Sequence, residues 1–192
     1  REPTHDIAPM REPMSNAADF PLAGRCALVT GGARRLGEAI VRRLHVGGAS
    51  VAVHHRASGG EADNLISELN AIRTRSAAAF ACDLLEVAAL PALIADVVAR
   101  FGRLDILVNN AGATMWARVD EIRDLGMLER IMRVNYMGAV YCTAYALPYL
   151  QFSRGRIVGI ASLTGLTGVP TRSGYAASKH AVVAVAEQTA LS

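Results

Sequence analysis

Cys26-Ala27-Leu28-Val29-Thr30-Gly31-Gly32-Ala33-Arg34-Arg35-Leu36-Gly37 is the stretch that decides the fold. Four consecutive apolar residues suit a strand buried on both faces, as strands of a parallel sheet are. The glycines after them allow a sharp turn and let backbone N–H groups approach a ligand closely. Leu36, Ala39, Ile40, Arg43, Leu44 and Gly47 then recur along one face of a helix. Strand, glycine turn and helix in this order set a helix N-terminus, partially positive, against the turn. That arrangement suits a pyrophosphate.

The alternation continues downstream. Ser50 to His54 reads as a second strand, and Glu61 to Arg73 as an amphipathic helix carried by Leu65, Ile66 and Leu69. Ala77 to Cys82 is a third strand, succeeded by a helix from Glu86 to Phe101 with Pro91 in its first turns. Leu104 to Val108 is expected as the fourth strand, Leu125 to Phe152 as one long helix bent near Pro148, and Arg156 to Ala161 as the fifth strand. A last helix starts at Gly174. The pattern is that of an α/β fold, a doubly wound parallel sheet with helices on both faces. Ligands of such sheets bind past the carboxyl ends of the strands, where strand order reverses.

Residues 1–20 carry Pro3, Pro9 and Pro13 with mixed charge and no apolar period, so they read as a disordered tail. Residues 21–192 read as one nucleotide-binding domain. Met14 stands before the first strand as a candidate start. The chain ends at Ala190-Leu191-Ser192 inside a helical pattern with no Gly, Asn or Pro stop, which reads as a truncation.

Composition narrows the function classes. Hydrophobic residues make up 52% and aromatics 5%, so small aliphatic side chains must fill the core. A net charge of +3 without clustered Arg or Lys and interleaved aromatics argues against nucleic acid as a partner. No apolar run reaches the ~18 residues of a bilayer span, and a secretory leader pattern is lacking, so no membrane partner and a cytoplasmic location are expected. Cys26, Cys82 and Cys142 are odd in number and form no CxxC pair, so they read as buried reduced thiols. His5, His45 and His180 have no companions at ligand spacing, and no metal is expected. Met127, Met132 and Met137 read as helix packing, and Trp116, the only tryptophan, as packing in the loop after the fourth strand.

Two arginines on neighbouring loops carry more information. Arg34 and Arg35 sit where a first helical turn disfavours cations unless an anion is near. The second strand ends in His54-His55-Arg56-Ala57-Ser58, where an enzyme using a free ribose 2′-hydroxyl commonly has an acidic residue. A guanidinium and a hydroxyl there suit a 2′-phosphate. Cys82-Asp83-Leu84 and Asn109-Asn110-Ala111-Gly112 end the third and fourth strands, with residues suited to turns or to lining a flat ring pocket.

The sharpest constellation is Ser162, Tyr175 and Lys179. Tyr175 and Lys179 at i, i+4 lie on one helix face. A neighbouring ammonium favours the phenolate, which fits such a tyrosine to protonate a developing alkoxide or to take the proton back. Ser162, just past the fifth strand, can hydrogen-bond the same oxygen. Asn135, on the long helix, could hold a water behind Lys179.

On these residues the chain resembles the short-chain dehydrogenases/reductases, from about Gly24 to its end. The motifs are Thr30-Gly31…Gly37, Asn109-Asn110-Ala111-Gly112, Asn135, Ser162 and Tyr175…Lys179. The resemblance implies a Rossmann-type sheet of strand order 3-2-1-4-5, with two further C-terminal strands missing here. Together with the 2′-phosphate reading of the arginines, it makes NADP(H) the expected cofactor, held by Gly31, Arg34, Arg35, Leu36, Gly37, Arg56, Ser58, Asp83, Leu84, Asn110, Ala111, Gly112, Tyr175 and Lys179. It assigns catalysis to Asn135, Ser162, Tyr175 and Lys179, acting on a small-molecule ketone or secondary alcohol. It also implies a homodimer or homotetramer for the full-length protein.

Three departures qualify the resemblance. Arg35 replaces the family's usual second glycine in the phosphate turn, and with His-His-Arg-x-Ser this makes the first half look like pteridine reductases. Ser162 stands where those enzymes carry an aspartate for pterin protonation, and Val134-Asn135-Tyr136-Met137-Gly138 and Ser162-Leu163-Thr164-Gly165 resemble the hydroxysteroid dehydrogenase branch. The region after the last helix, which in this family supplies the substrate loop, is missing. The expected activity is therefore NADPH-dependent carbonyl reduction. Pterin reduction is the alternative within the enzyme class, and a noncatalytic nucleotide-binding fragment is the alternative outside it.

Overall fold

The computed structural model describes residues 20–190. The expected tail of residues 1–20 and the chain end lie almost wholly outside them. Strands β1 (Cys26–Val29), β2 (Ser50–His55), β3 (Ala77–Ala81), β4 (Ile106–Asn109) and β5 (Arg156–Gly159) form one parallel sheet in the order β3-β2-β1-β4-β5. The chain winds outward from β1 to β3, then returns past β1 to β4, so the order reverses between β1 and β4. This is the expected Rossmann-type topology.

Alternation along each strand divides the core in two. Leu28, Ala52 and Leu107 face α3 (Leu90–Phe101) and α5 (Gly138–Ser153), packing with Leu90, Leu93, Ile94, Val97, Cys142, Ala146 and Leu150. Val29, Val51, Val53 and Val108 face the opposite way, onto Val41 of α1 (Arg35–Val46) and Ala62, Leu65 and Leu69 of α2 (Gly59–Ile72). A central strand must be apolar on both sides for this to work. Cys26 and Cys142 are buried fill, and burial pushes both thiols up to about 12, which leaves them unreactive near neutral pH.

The third helix starts at Leu90, after a 3-10 turn, and β5 ends at Gly159, both shorter than expected, and two further differences have a local physical cause. The fourth strand starts at Ile106 because Asp105 is used as an anchor. Its carboxylate accepts from the Cys26 backbone N–H at 2.9 Å and pairs with Arg25 and Arg103 at 2.8 and 2.6 Å. The single long helix is instead α4 (Gly126–Met132), a π-turn (Arg133–Met137) and α5. The irregularity thus lies upstream of Pro148, which α5 runs through. A π-turn carries one extra residue and rotates the helix beyond it. Here it aims Asn135 inward. The final helix, α6, covers Ser173–Ala190.

Candidate active site

All the strands point their carboxyl ends at one edge of the sheet, and a groove of about 510 Å³ runs along that edge. Its floor is set at the reversal between β1 and β4. The Thr30 hydroxyl accepts from the backbone N–H groups of Asn110 and Ala111 at 2.9 and 3.0 Å. The Asn110 amide donates to the carbonyls of Thr30 and Gly31 at 2.9 and 3.1 Å. A Cβ on Gly37 would run into the Gly31 carbonyl and the Asn110 amide. Only glycine lets α1 start this close to the turn. Gly31 itself has φ +62°, in the region where glycine is unstrained.

Arg35 also lies at positive φ, +54°. A non-glycine residue in this left-handed region bears some strain, on the order of 1 kcal/mol. The Arg35 side chain is exposed and lines the groove.

His54 was legible only as a strand residue. It is buried, and Nδ1 accepts from the Gly31 N–H at 3.0 Å while Nε2 donates to the Cys82 carbonyl at 3.0 Å. One neutral ring thus ties the phosphate turn, β2 and the end of β3 together. Burial pulls its pKa down from 6.5 to about 4. The available signal was a polar residue closing an otherwise apolar strand.

Every residue expected to hold the cofactor lines this groove: Gly31, Arg34, Arg35, Leu36 and Gly37 from the turn, Arg56 and Ser58 after β2, Asp83 and Leu84 after β3, Asn110, Ala111 and Gly112 after β4, and Tyr175 and Lys179 from α6. Arg34 and Arg56 are exposed and come no nearer than 4.0 Å to Glu61 and Asp83. Both keep N–H groups for another anion.

Tyr175 and Lys179 are one helical turn apart at the other end, with the Lys179 Nζ 5.9 Å from the Tyr175 ring centre. Lys179 is only 5% exposed; its Nζ donates to the Ile160 carbonyl at 2.6 Å, and burial lowers its pKa. Gly165 brings the turn after Ser162 against α6, since a Cβ there would lie 2.8 Å from the Lys179 carbonyl oxygen. The Ser162 hydroxyl accepts from the Thr164 hydroxyl at 3.0 Å and starts the 3-10 turn Leu163–Gly165. Ser162 comes directly after Ala161, which borders the groove.

Asn135 lies near Lys179, both within 4 Å of where a Cβ on Gly112 would be. Its Oδ1 accepts from the Ala113 N–H at 2.7 Å, and its Nδ2 donates to the Ala113 carbonyl and the Ser178 hydroxyl, each at 2.9 Å. The side chain therefore clamps the groove wall to α6, with both amide hydrogens used on protein partners. His45 and His180 are bonded to Ser76 and to the Ala176 carbonyl; His5 lies outside the described residues. Among the described residues no cluster of His, Cys, Asp or Glu could hold a metal, and no helix is long and apolar enough to cross a membrane.

Comparison with known proteins matches residues 25–192 to the short chain dehydrogenase family. The chain belongs to that family. A hydroxynaphthalene reductase of Aspergillus fumigatus is 36% identical over 163 residues, covering 85% of this chain and 59% of that protein. An L-fucose dehydrogenase of Oryctolagus cuniculus is 36% identical over 170 residues, 88% of this chain and 57% of that one. An 11-beta-hydroxysteroid dehydrogenase-like protein of Arabidopsis thaliana is 34% identical over 166 residues, 86% and 48% respectively. This short-chain dehydrogenase chain thus spans about half to three fifths of the length of these relatives.

Proposed function

We propose that the protein is an NADPH-dependent oxidoreductase acting on a ketone or, in reverse, a secondary alcohol. The observation that carries this reading is that one groove holds both the exposed Arg34 and Arg56 and the Tyr175–Lys179 pair. The residues fit the cofactor. The tight turn at Gly31 and Gly37 leaves room for a pyrophosphate beside α1. Arg34, Arg56 and Ser58 suit a 2′-phosphate, and no acidic side chain directly after β2 repels one. When bound, NADPH would supply the hydride that reduces the carbonyl carbon.

The chain's own residues do the rest. Tyr175 gives its phenolic proton to the carbonyl oxygen as charge develops there. Ser162 orients that oxygen by hydrogen bonding. Lys179, a buried cation beside Tyr175, favours the phenolate left behind and can hydrogen-bond a ribose. Asn135 is a positioning residue that holds the Gly112–Thr114 wall and α6 together. The groove preorganises these groups so that little reorganisation is needed on reaction. A cytoplasmic location and a homodimer or homotetramer go with this reading.

Absorbance at 340 nm with a diketone tests it, with NADPH expected to be consumed in preference to NADH. Tyr175→Phe should lower kcat by at least about 100-fold while the NADPH dissociation constant stays within about twofold. Turnover that survives this substitution would remove Tyr175 from the chemistry and, with it, the proposed mechanism.

A further inference from the structure

At the substrate side of Tyr175 a second cation is held in an unusual setting. The Arg172 guanidinium lies over the Trp116 ring, 3.2 Å from its centre, and 5.3 Å from the centre of the Tyr175 ring. One of its N–H groups donates to the Thr114 hydroxyl at 2.6 Å. The Thr171 carbonyl accepts from the Ala117 N–H at 3.0 Å, so the loop after β4 and the approach to α6 are joined at this point. Among the described residues no carboxylate pairs with Arg172, whereas Arg118, in the same loop, is paired with Asp120 at 3.1 Å. Thr114 and Tyr175 both line the groove.

A guanidinium stacked on an indole is held in plane with its edge left free. Among the described residues, two of its nitrogens have no protein acceptor. That free edge can take a carboxylate through two parallel hydrogen bonds, the geometry arginine is built for. Trp116 is 71% exposed and Leu163 and Leu166 are 76% and 70% exposed. Trp116 therefore offers apolar surface beside Arg172, and the turn that carries Leu163 packs on α6, the helix that carries Tyr175.

We propose that Arg172 is the specificity-determining residue of the reaction, and that it selects oxo acids: an apolar, aryl or alkyl, body with a carboxylate set roughly two carbons from the carbonyl. The carboxylate binds the free edge of Arg172 while the carbonyl oxygen reaches Tyr175. The apolar body lies along Trp116 and the Leu163–Leu166 loop. This inference rests on the carbonyl-reductase reading above and names the substrate class for it.

Trp116 is the only tryptophan, so its emission reports directly on the opening. 3-Benzoylpropanoate and its methyl ester are titrated into the protein in the presence of NADP+, which cannot reduce a ketone. The acid is expected to change Trp116 emission and to bind about tenfold or more tightly than the ester. In Arg172→Gln the ratio should fall to about one. Arg172→Lys, which keeps the charge without the planar fork, should give an intermediate ratio and guards against a folding defect in the glutamine variant. With NADPH, the same preference should appear mainly in KM.

An ester that binds as well as the acid overturns the proposal. So does a ratio that survives Arg172→Gln, the result expected if Arg172 merely fastens two loops. Failure of the reductase reading looks different: NADPH is then not consumed with either compound or with neutral diketones, whatever the emission shows.

Discussion

His54 shows how one side chain can make the glycine turn after β1 sensitive to acid. Its ring must be neutral to accept from Gly31 through Nδ1 while donating through Nε2 to Cys82. The folded protein resists protonation down to about 4, whereas the unfolded chain takes the proton near 6.5. Stability from this residue is therefore complete above pH 6.5 and is lost as pH falls towards 4. The loss amounts to about 3 kcal/mol. Urea midpoints measured across that range should fall steeply for the native protein. In His54→Gln the same curve should be flatter by about that amount. A parallel curve for the variant would mean the proton goes elsewhere.

At the scale of elements, the π-turn between α4 and α5 matters most. An uninterrupted α-helix from Leu125 to Phe152 would keep the regular i to i−4 ladder over more of its length, yet the π-turn is where Asn135 meets Ala113 and Ser178. The turn joins the β4 loop to α6, and α6 carries Tyr175 and Lys179. Asn135→Ala leaves the partly buried Ala113 N–H without its acceptor and the buried Ser178 hydroxyl without its donor. It should cost about 2 kcal/mol of unfolding free energy and weaken NADPH binding severalfold, since Ala113 borders the groove. Denaturant melts and a binding titration on one sample check both. Unchanged affinity at reduced stability would limit Asn135 to a folding role.

For the whole molecule, the sheet edge opposite the groove is tied at Asp105. The side chain is 2% exposed. Burial alone would raise its pKa, but hydrogen bonds from Arg103, Arg25 and the Cys26 N–H outweigh it and hold the carboxyl below its ordinary value. This contribution is present above the usual carboxylate range and lost as pH falls through the lowered folded value. Asp105→Asn keeps the shape and removes the charge that both arginines use. It should destabilise the fold by about 1–3 kcal/mol at neutral pH, with no change in substrate preference because the groove is at the other end of the strands. Thermal unfolding monitored by circular dichroism measures the first, and the acid-to-ester ratio checks the second.

The sequence by itself determined the layered fold and many of the residues that border the groove. Strand apolarity, helical spacing and the glycine turn are local signals, and a parallel α/β topology sends every post-strand loop to one edge. That is why Gly31, Arg56, Asp83 and Asn110 could be named together. Tertiary structure alone decided the partners. His54 and Gly31 are separated by 23 residues, Asn135 and Ser178 by 43, and Arg172 and Thr114 by 58. No periodicity encodes such pairs, because a hydrogen bond or a stacked ring depends on where packed elements bring two side chains, and not on the spacing within either element.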